Sequence, residues 1–136
     1  MKISIYTDGG ARGNPGIAGY GLVVLDEQKK PIYQQSKFLG IKTNNQAEYM
    51  GLIGALTWLK DHQSDCTAIN FYSDSQLMVR QITGLYIVKS PNLKPLFTAA
   101  QNLIGQIKSP IAFLDIRRDK NEIADSLANQ AMDKCR

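Results

Sequence analysis

The chain reads as an α/β protein with a five-stranded mixed sheet and helices on both faces. Three observations predict it. Three strand-like segments come first, joined by short polar turns that leave antiparallel neighbours as the only choice. Helical periodicity then alternates with short apolar strands, and such crossovers bring later strands in parallel. The order that results is β-β-β-α-β-α-α-β-α. At 136 residues the length fits one domain covering 1–136, large enough for a full core.

Each element has its own signal. Residues 2–7 alternate, with Ile3, Ile5 and Thr7 on one face and Ser4 and Tyr6 on the other. Second and third strands fit Tyr20–Leu25 and Ile32–Leu39, separated by the polar turn Asp26–Pro31. Residues 44–60 place Leu52, Ile53, Leu56 and Leu59 at helical spacing, behind the capping-box pair Thr43 and Gln46. A short apolar strand, Ala68–Tyr72, leads to a helix over Ser75–Thr83 that Gly84 ends. Pro95 sits in the first turn of a helix running to about Ile107. Ile111–Ile116 is the last strand and Asn121–Met132 the last helix.

Composition excludes several classes. No apolar run reaches membrane-spanning length, and the start MKISIYTDGG is strand-like rather than a signal peptide. Cys66 and Cys135 are far apart with no C-x-x-C partner, which argues against a zinc site or a disulfide framework. A cytoplasmic protein without a membrane partner is expected. The net charge of +4 permits an anionic partner.

The stretch IYTDGGARGNPG at residues 5–16 has the look of a phosphate cradle but fits neither standard form. A P-loop needs Lys-Ser/Thr after its last glycine, and here Asn14-Pro15 follows Gly13. A dinucleotide fingerprint needs G-x-G-x-x-G opening a helix, whereas Gly10, Gly13 and Gly16 are evenly spaced around Pro15. Asp8 is then the residue to explain. Ligands of open α/β sheets sit beyond the carboxyl ends of the parallel strands, and Asp8 and Asp74 each follow such a strand.

Two further acids stand out. Glu48 lies within about 40° of Leu52, Ala55 and Leu59 on a helical projection, which is the core-facing stripe. A buried carboxylate needs a basic partner or a cation, unless this one leans out to solvent from the first turn. Asp125 shares a polar strip with Asn121 and Asn129, a pattern normally read as a solvated face. Asp74 reads equally as the N-cap of the next helix, and Asp8 as a turn residue. Periodicity leaves these alternatives open.

The stretches YTDGGARGNPGIAGYG, TNNQAEYMGLIGAL, FYSDSQLMVRQI and RRDKNEIADSLANQA resemble type I ribonuclease H from Lys2 to about Met132. Each places one member of that family's four-acid set in its expected context: Asp8, Glu48, Asp74 and Asp125. The resemblance implies a ribonuclease H-like fold and an enzyme that hydrolyses the RNA strand of RNA–DNA hybrids, leaving 3′-hydroxyl and 5′-phosphate ends. It also implies two Mg²⁺ ions, with Mn²⁺ an acceptable substitute, about 3.5–4 Å apart. Asp8 would bridge both, Glu48 and Asp74 would complete the nucleophile side, and Asp125 would join Asp8 on the leaving-group side. Mg²⁺ favours the oxygen ligands these acids supply.

Substrate contacts follow from the same motifs. The family reads 2′-hydroxyls in the hybrid's wide minor groove with backbone and short polar groups. The matching positions are Gly9, Gly10, Asn14, Asn44, Asn45 and Gln76, with the glycines letting the backbone approach the RNA strand. Thr43 and Asn44, at a helix N-terminus, suit a phosphate of the DNA strand.

The chain departs from many bacterial members in two places. QITGLYIVKSPNLKPLF replaces a basic protrusion, and RRDKNE replaces a histidine-bearing loop. In the compact subgroup that this chain resembles, an arginine takes the histidine's place. Arg118 aligns best, to help activate the nucleophile or release product, although Arg117 and Arg118 also read as a solvated pair. Setting the four acids aside leaves eight carboxylates against sixteen lysines and arginines. Arg12, Lys42, Lys89 and Lys94 are the candidates for phosphate contact. Without a protrusion, weaker hybrid binding than in protrusion-bearing relatives is expected. The chain begins at Met1 and ends just after the last helix, which reads as a complete monomeric protein with no obligate protein partner. The competing functions are a nuclease of the same fold acting on another duplex, such as a reverse-transcriptase module or a double-stranded-RNA cutter, and a non-catalytic hybrid-binding domain.

Overall fold

A computed structural model describes residues 1–62 and 66–134. The strands are β1 (Lys2–Gly13), β2 (Gly16–Leu25), β3 (Pro31–Lys42), β4 (Ala68–Ser73) and β5 (Ile111–Asp115). The helices are α1 (Asn44–His62), α2 (Gln76–Ile82), α3 (Lys94–Gln106) and α4 (Glu122–Asp133), with a 3-10 turn at Arg118–Lys120. The sheet order is β3-β2-β1-β4-β5. β1 pairs antiparallel with β2 and β2 with β3, whereas β4 is parallel to both β1 and β5. The mixed sheet and the element order are those the sequence predicts.

The first three strands are longer than periodicity indicated. Their glycines read as loop, yet Gly9 and Gly10 are strand residues paired with Tyr20 and Gly19. Only Asn14-Pro15 turns the chain, through a cis peptide bond and a Gly13 at φ 95°. Asp8 is therefore not at a strand end; it lies inside β1, opposite Gly21. The rule that drew attention to it still applies, because the parallel ladder to β4 stops at Thr7 and Ser73. Beyond that pair the two strands part, and Asp8 and Asp74 open the gap.

One sheet face carries the main core. Ile3, Ile5, Leu22, Ile69 and Phe71 pack there against Leu52, Leu56 and Leu59 of α1, all at most 2% exposed. Helix α3 packs on α1 behind them. Helix α4 covers the opposite face over β1, β2 and β3. It approaches so closely that a side chain at Gly21 would overlap the Ala124 carbonyl, and Ala124, Ala128, Ala131 and Met132 are its buried positions. No helix is long and apolar enough to cross a membrane among the described residues. Cys66 is buried with Sγ 3.6 Å from the His62 carbonyl, and Cys135 lies outside the described residues.

Candidate active site

Helix α1 is set against the hairpin by a dense polar cluster. The predicted capping box forms: Gln46 N–H donates to Thr43 Oγ1 at 3.1 Å, and Thr43 N–H donates to Gln46 Oε1 at 2.9 Å. Such a cap stabilises a helix by about 1 kcal/mol. Asn14 Oδ1 accepts from the Asn44 N–H at 3.0 Å, and Asn44 Oδ1 accepts from the Ala11 N–H at 2.8 Å. These bonds press the first turn of α1 onto β1. Gly9 lies in the contact, where a Cβ would overlap the backbone of Ala47 and Glu48.

That close approach places Glu48. Its carboxylate is buried and accepts the Gly9 N–H at 2.6 Å. The solvent-facing alternative for Glu48 is thereby excluded, and the core-facing one holds. Asp74 is not the N-cap of α2: Ser75 is, accepting from the Met78 N–H at 3.3 Å. Released from capping, Asp74 points into the cleft, with Oδ2 buried and without a hydrogen-bond partner. Asp8, Glu48 and Asp74 each offer an oxygen, and the three oxygens lie within 4.8 Å of one another. Asp125 stands outside that trio, on the α4 wall of the same cleft of about 680 Å³.

The cluster is electrostatically costly. Burial, then the charge of Asp74, then contact with Asp125, push the Asp8 carboxyl up to about 8, against a pull from Arg118. Burial, reinforced by Asp8 and Asp74, holds the Glu48 carboxyl well above the usual range, with the Gly9 N–H opposing it. Arg118 Nε is 4.0 Å from Asp74 Oδ2, but its side chain is 85% exposed and does little to neutralise three acids. A divalent cation meets what the site lacks: positive charge, hard-oxygen coordination and a partner for the orphaned Asp74 oxygen. The trio is compatible with binding one.

The structure brings most of the expected substrate residues to the cleft. Gly9, Gly10, Arg12, Asn44, Asn45 and Gln76 line it, whereas Asn14 and Thr43 stand behind the wall in the capping cluster. Gly10 differs from Gly9: an added Cβ would meet nothing closer than Met132 Cε at 3.9 Å. Packing explains Gly9 and leaves Gly10 to another cause. Arg12 is engaged by Asp133, Nη2 to Oδ1 at 2.6 Å, so a phosphate must compete for it. Lys42, Lys89 and Lys94 do not line the cleft, whose cations are Arg12, Arg117 and Arg118. Arg117 pairs with Asp119 at 3.6 Å, which separates the two adjacent arginines in role.

Two site features escaped the sequence. Asp115 lines the cleft at the end of β5, and the strand-end rule that singled out Asp8 and Asp74 would have found it. Asn121, expected on a solvated strip, is 1% exposed and donates to the Thr7 carbonyl at 2.8 Å. Position at the helix start, ahead of the periodic region, hid its burial. Asn129 keeps the exposed character of that strip, whereas Asp125 is half-buried, with Asn129 Nδ2 donating to the Asp125 carbonyl at 3.1 Å.

Comparison with known proteins places this geometry. Residues 1–113 match the RNase H family. The chain belongs to that family. It is 42% identical over 134 residues to the bifunctional protein Rv2228c of Mycobacterium tuberculosis, covering 98% of this chain and 36% of that protein. It is 36% identical to ribonuclease HI of Halobacterium salinarum, covering 97% of this chain and 65% of that one. The chain thus spans less than two thirds of either relative's length. The solved structure of LC11-RNase H1 in complex with an RNA/DNA hybrid superposes with a TM-score of 0.91 at 42% identity, covering 97% of both chains.

Proposed function

We propose that this chain is an endoribonuclease that hydrolyses the RNA strand of RNA–DNA hybrids. One observation carries the reading: three carboxylates, two buried and the third, Asp74, partly buried, converge from β1, α1 and the end of β4, and among the described residues no cation is placed to neutralise them. Family membership and the hybrid bound by LC11-RNase H1 support the substrate class.

In the reaction a water oxygen forms a bond to the scissile phosphorus and the bond to the 3′-oxygen breaks, leaving a 3′-hydroxyl and a 5′-phosphate. Asp8, Glu48 and Asp74, with Asp125 from the opposite wall, would hold divalent ions of the kind that hard-oxygen donors favour, two in number and Mg²⁺ or Mn²⁺ as the family resemblance implies. Such ions supply the positive charge that an in-line phosphodiester displacement demands. The protein's own contribution is to fix these four acids and to present a wall for the RNA strand. Gly10 leaves room for a close backbone approach, and the Asn44, Asn45 and Gln76 amides offer donors and acceptors of the kind that recognise 2′-hydroxyls. Thr43 and Asn14 support the wall from behind. Arg118 faces Asp74 from solvent, where it suits assistance at the nucleophile or in product release. A monomer working in the cytoplasm accords with this role.

A cleavage assay with end-labelled RNA–DNA, RNA–RNA and DNA–DNA duplexes, with and without Mg²⁺, tests the proposal. Cleavage confined to the RNA of the hybrid and dependent on the ion is the expected result. Preferential cutting of RNA–RNA, or tight hybrid binding without any cleavage, would replace the reading with one of the two competing functions.

A further inference from the structure

Asn121 occupies the residue before α4, where an asparagine side chain ordinarily caps the helix by accepting an N–H of the first turn. Here it makes no such bond. Its side chain turns inward, is 1% exposed, and donates from Nδ2 to the Thr7 carbonyl 114 residues away. Its Oδ1 is buried without a partner, a condition that works against folding. The helix has forgone a cap and the core has accepted an orphaned oxygen, so stability alone does not account for the arrangement.

Location supplies the reason. Thr7 is the last β1 residue of the parallel ladder and directly precedes Asp8. The Asn121 carbonyl accepts the Asp125 N–H at 3.0 Å, the bond that fixes the first turn of α4. One residue therefore grips β1 beside one acid and the turn that carries another. We propose that Asn121 is a positioning residue, a clamp that sets Asp125 against Asp8. It rests on the reading of the cleft as a hydrolytic site, and it refines how that site is assembled. Another side-chain tether of α4 to the sheet, Ser36 Oγ donating to the Leu127 carbonyl at 2.6 Å, starts two strands from Asp8 on β3 and does not line the cleft. That bond provides the matched control.

The experiment compares Asn121→Ala, Asn121→Ser and Ser36→Ala in the full chain. Melting temperature, steady-state hybrid cleavage and Mn²⁺ binding by calorimetry without nucleic acid are the readouts. Both Asn121 variants should lose at least tenfold in kcat with KM within about threefold, and Mn²⁺ should bind several-fold more weakly. Ser36→Ala should lower the melting temperature comparably yet leave kcat and Mn²⁺ affinity unchanged. Equal losses of kcat and Mn²⁺ affinity in Ser36→Ala would reduce Asn121 to an ordinary structural contact and overturn the proposal. So would unaltered kcat in the Asn121 variants, or their failure to fold. If the unaltered chain proves inactive on hybrids, the functional reading fails, and the Mn²⁺ isotherms alone decide for or against the clamp.

Discussion

The two ends of α1 obey opposite rules. At the C-terminal end, Trp58 stacks between Tyr33, with ring centroids 5.6 Å apart, and His62, at 4.3 Å. His62 Nδ1 lies 2.8 Å from the Trp58 carbonyl, and Thr57 Oγ1 donates to the Ile53 carbonyl at 2.7 Å. Contacts there are apolar or reciprocated. One turn into the N-terminal end, Glu48 is buried against two other acids with one N–H for relief. A helix that needed only to be stable would be built like its C-terminal end throughout. The contrast shows where stability has been surrendered, and that place is the site.

Substituting Asp8, the β1 acid facing the N-terminal end, and Trp58 at the C-terminal end tests the contrast most strongly. Asp8→Asn should lower hybrid cleavage at least ~1,000-fold, about 4 kcal/mol of barrier, and should raise the melting temperature of the metal-free protein near neutral pH because folding no longer has to hold a buried acid away from its ionised form. Trp58→Ala should do the reverse, costing about 2 kcal/mol of stability and leaving kcat unchanged well below the melting point. Calorimetric melts beside single-turnover cleavage would show it. A destabilised Asp8→Asn protein would break the comparison.

Adjacent glycines give a sharper and smaller version. Gly9→Ala should cost about 2–3 kcal/mol, since α1 would have to back away from β1. Gly10→Ala should alter stability by less than about 0.5 kcal/mol while raising KM for the hybrid. Denaturant titrations and KM measurements on the two variants separate a packing glycine from a substrate-facing one.

A last comparison concerns pH. Folding raises the Asp8 carboxyl from 3.8 to about 8, so across that interval the unfolded chain has released a proton that the folded chain retains. Stability contributed by this group is then fully present below pH 4 and is lost as pH climbs towards 8. Glu48, raised by burial, acts in the same direction. Melting temperatures of the metal-free protein should fall over that window relative to Asp8→Asn, and saturating Mg²⁺ should flatten the difference. An identical pH slope in wild type and Asp8→Asn would contradict the assigned origin.

Much of this was legible before any coordinates. Alternation and crossover logic yielded the sheet, and the helical stripe put Glu48 on the core-facing side while leaving a solvent-facing alternative that only the structure removed. The Thr43–Gln46 box formed as local chemistry dictates. What remained hidden was long-range. Glycines at 9 and 10 signal a turn locally, but cross-strand pairing with Tyr20 and Gly19 makes them strand. Asp74 looked like a cap because nothing local distinguishes it from Ser75, which takes that part. Asn121 had the profile of a surface residue, and only the path of β1 shows it a carbonyl to grip. Convergence of acids from separate elements is a property of topology, beyond the reach of periodicity; resemblance to a family bridged that gap.

Zero clearance at Gly9 makes the position a gatekeeper for sequence change in this chain: a larger residue after Asp8 would wedge α1 outward and carry Glu48 with it, so the acid could be lost to the site without being mutated.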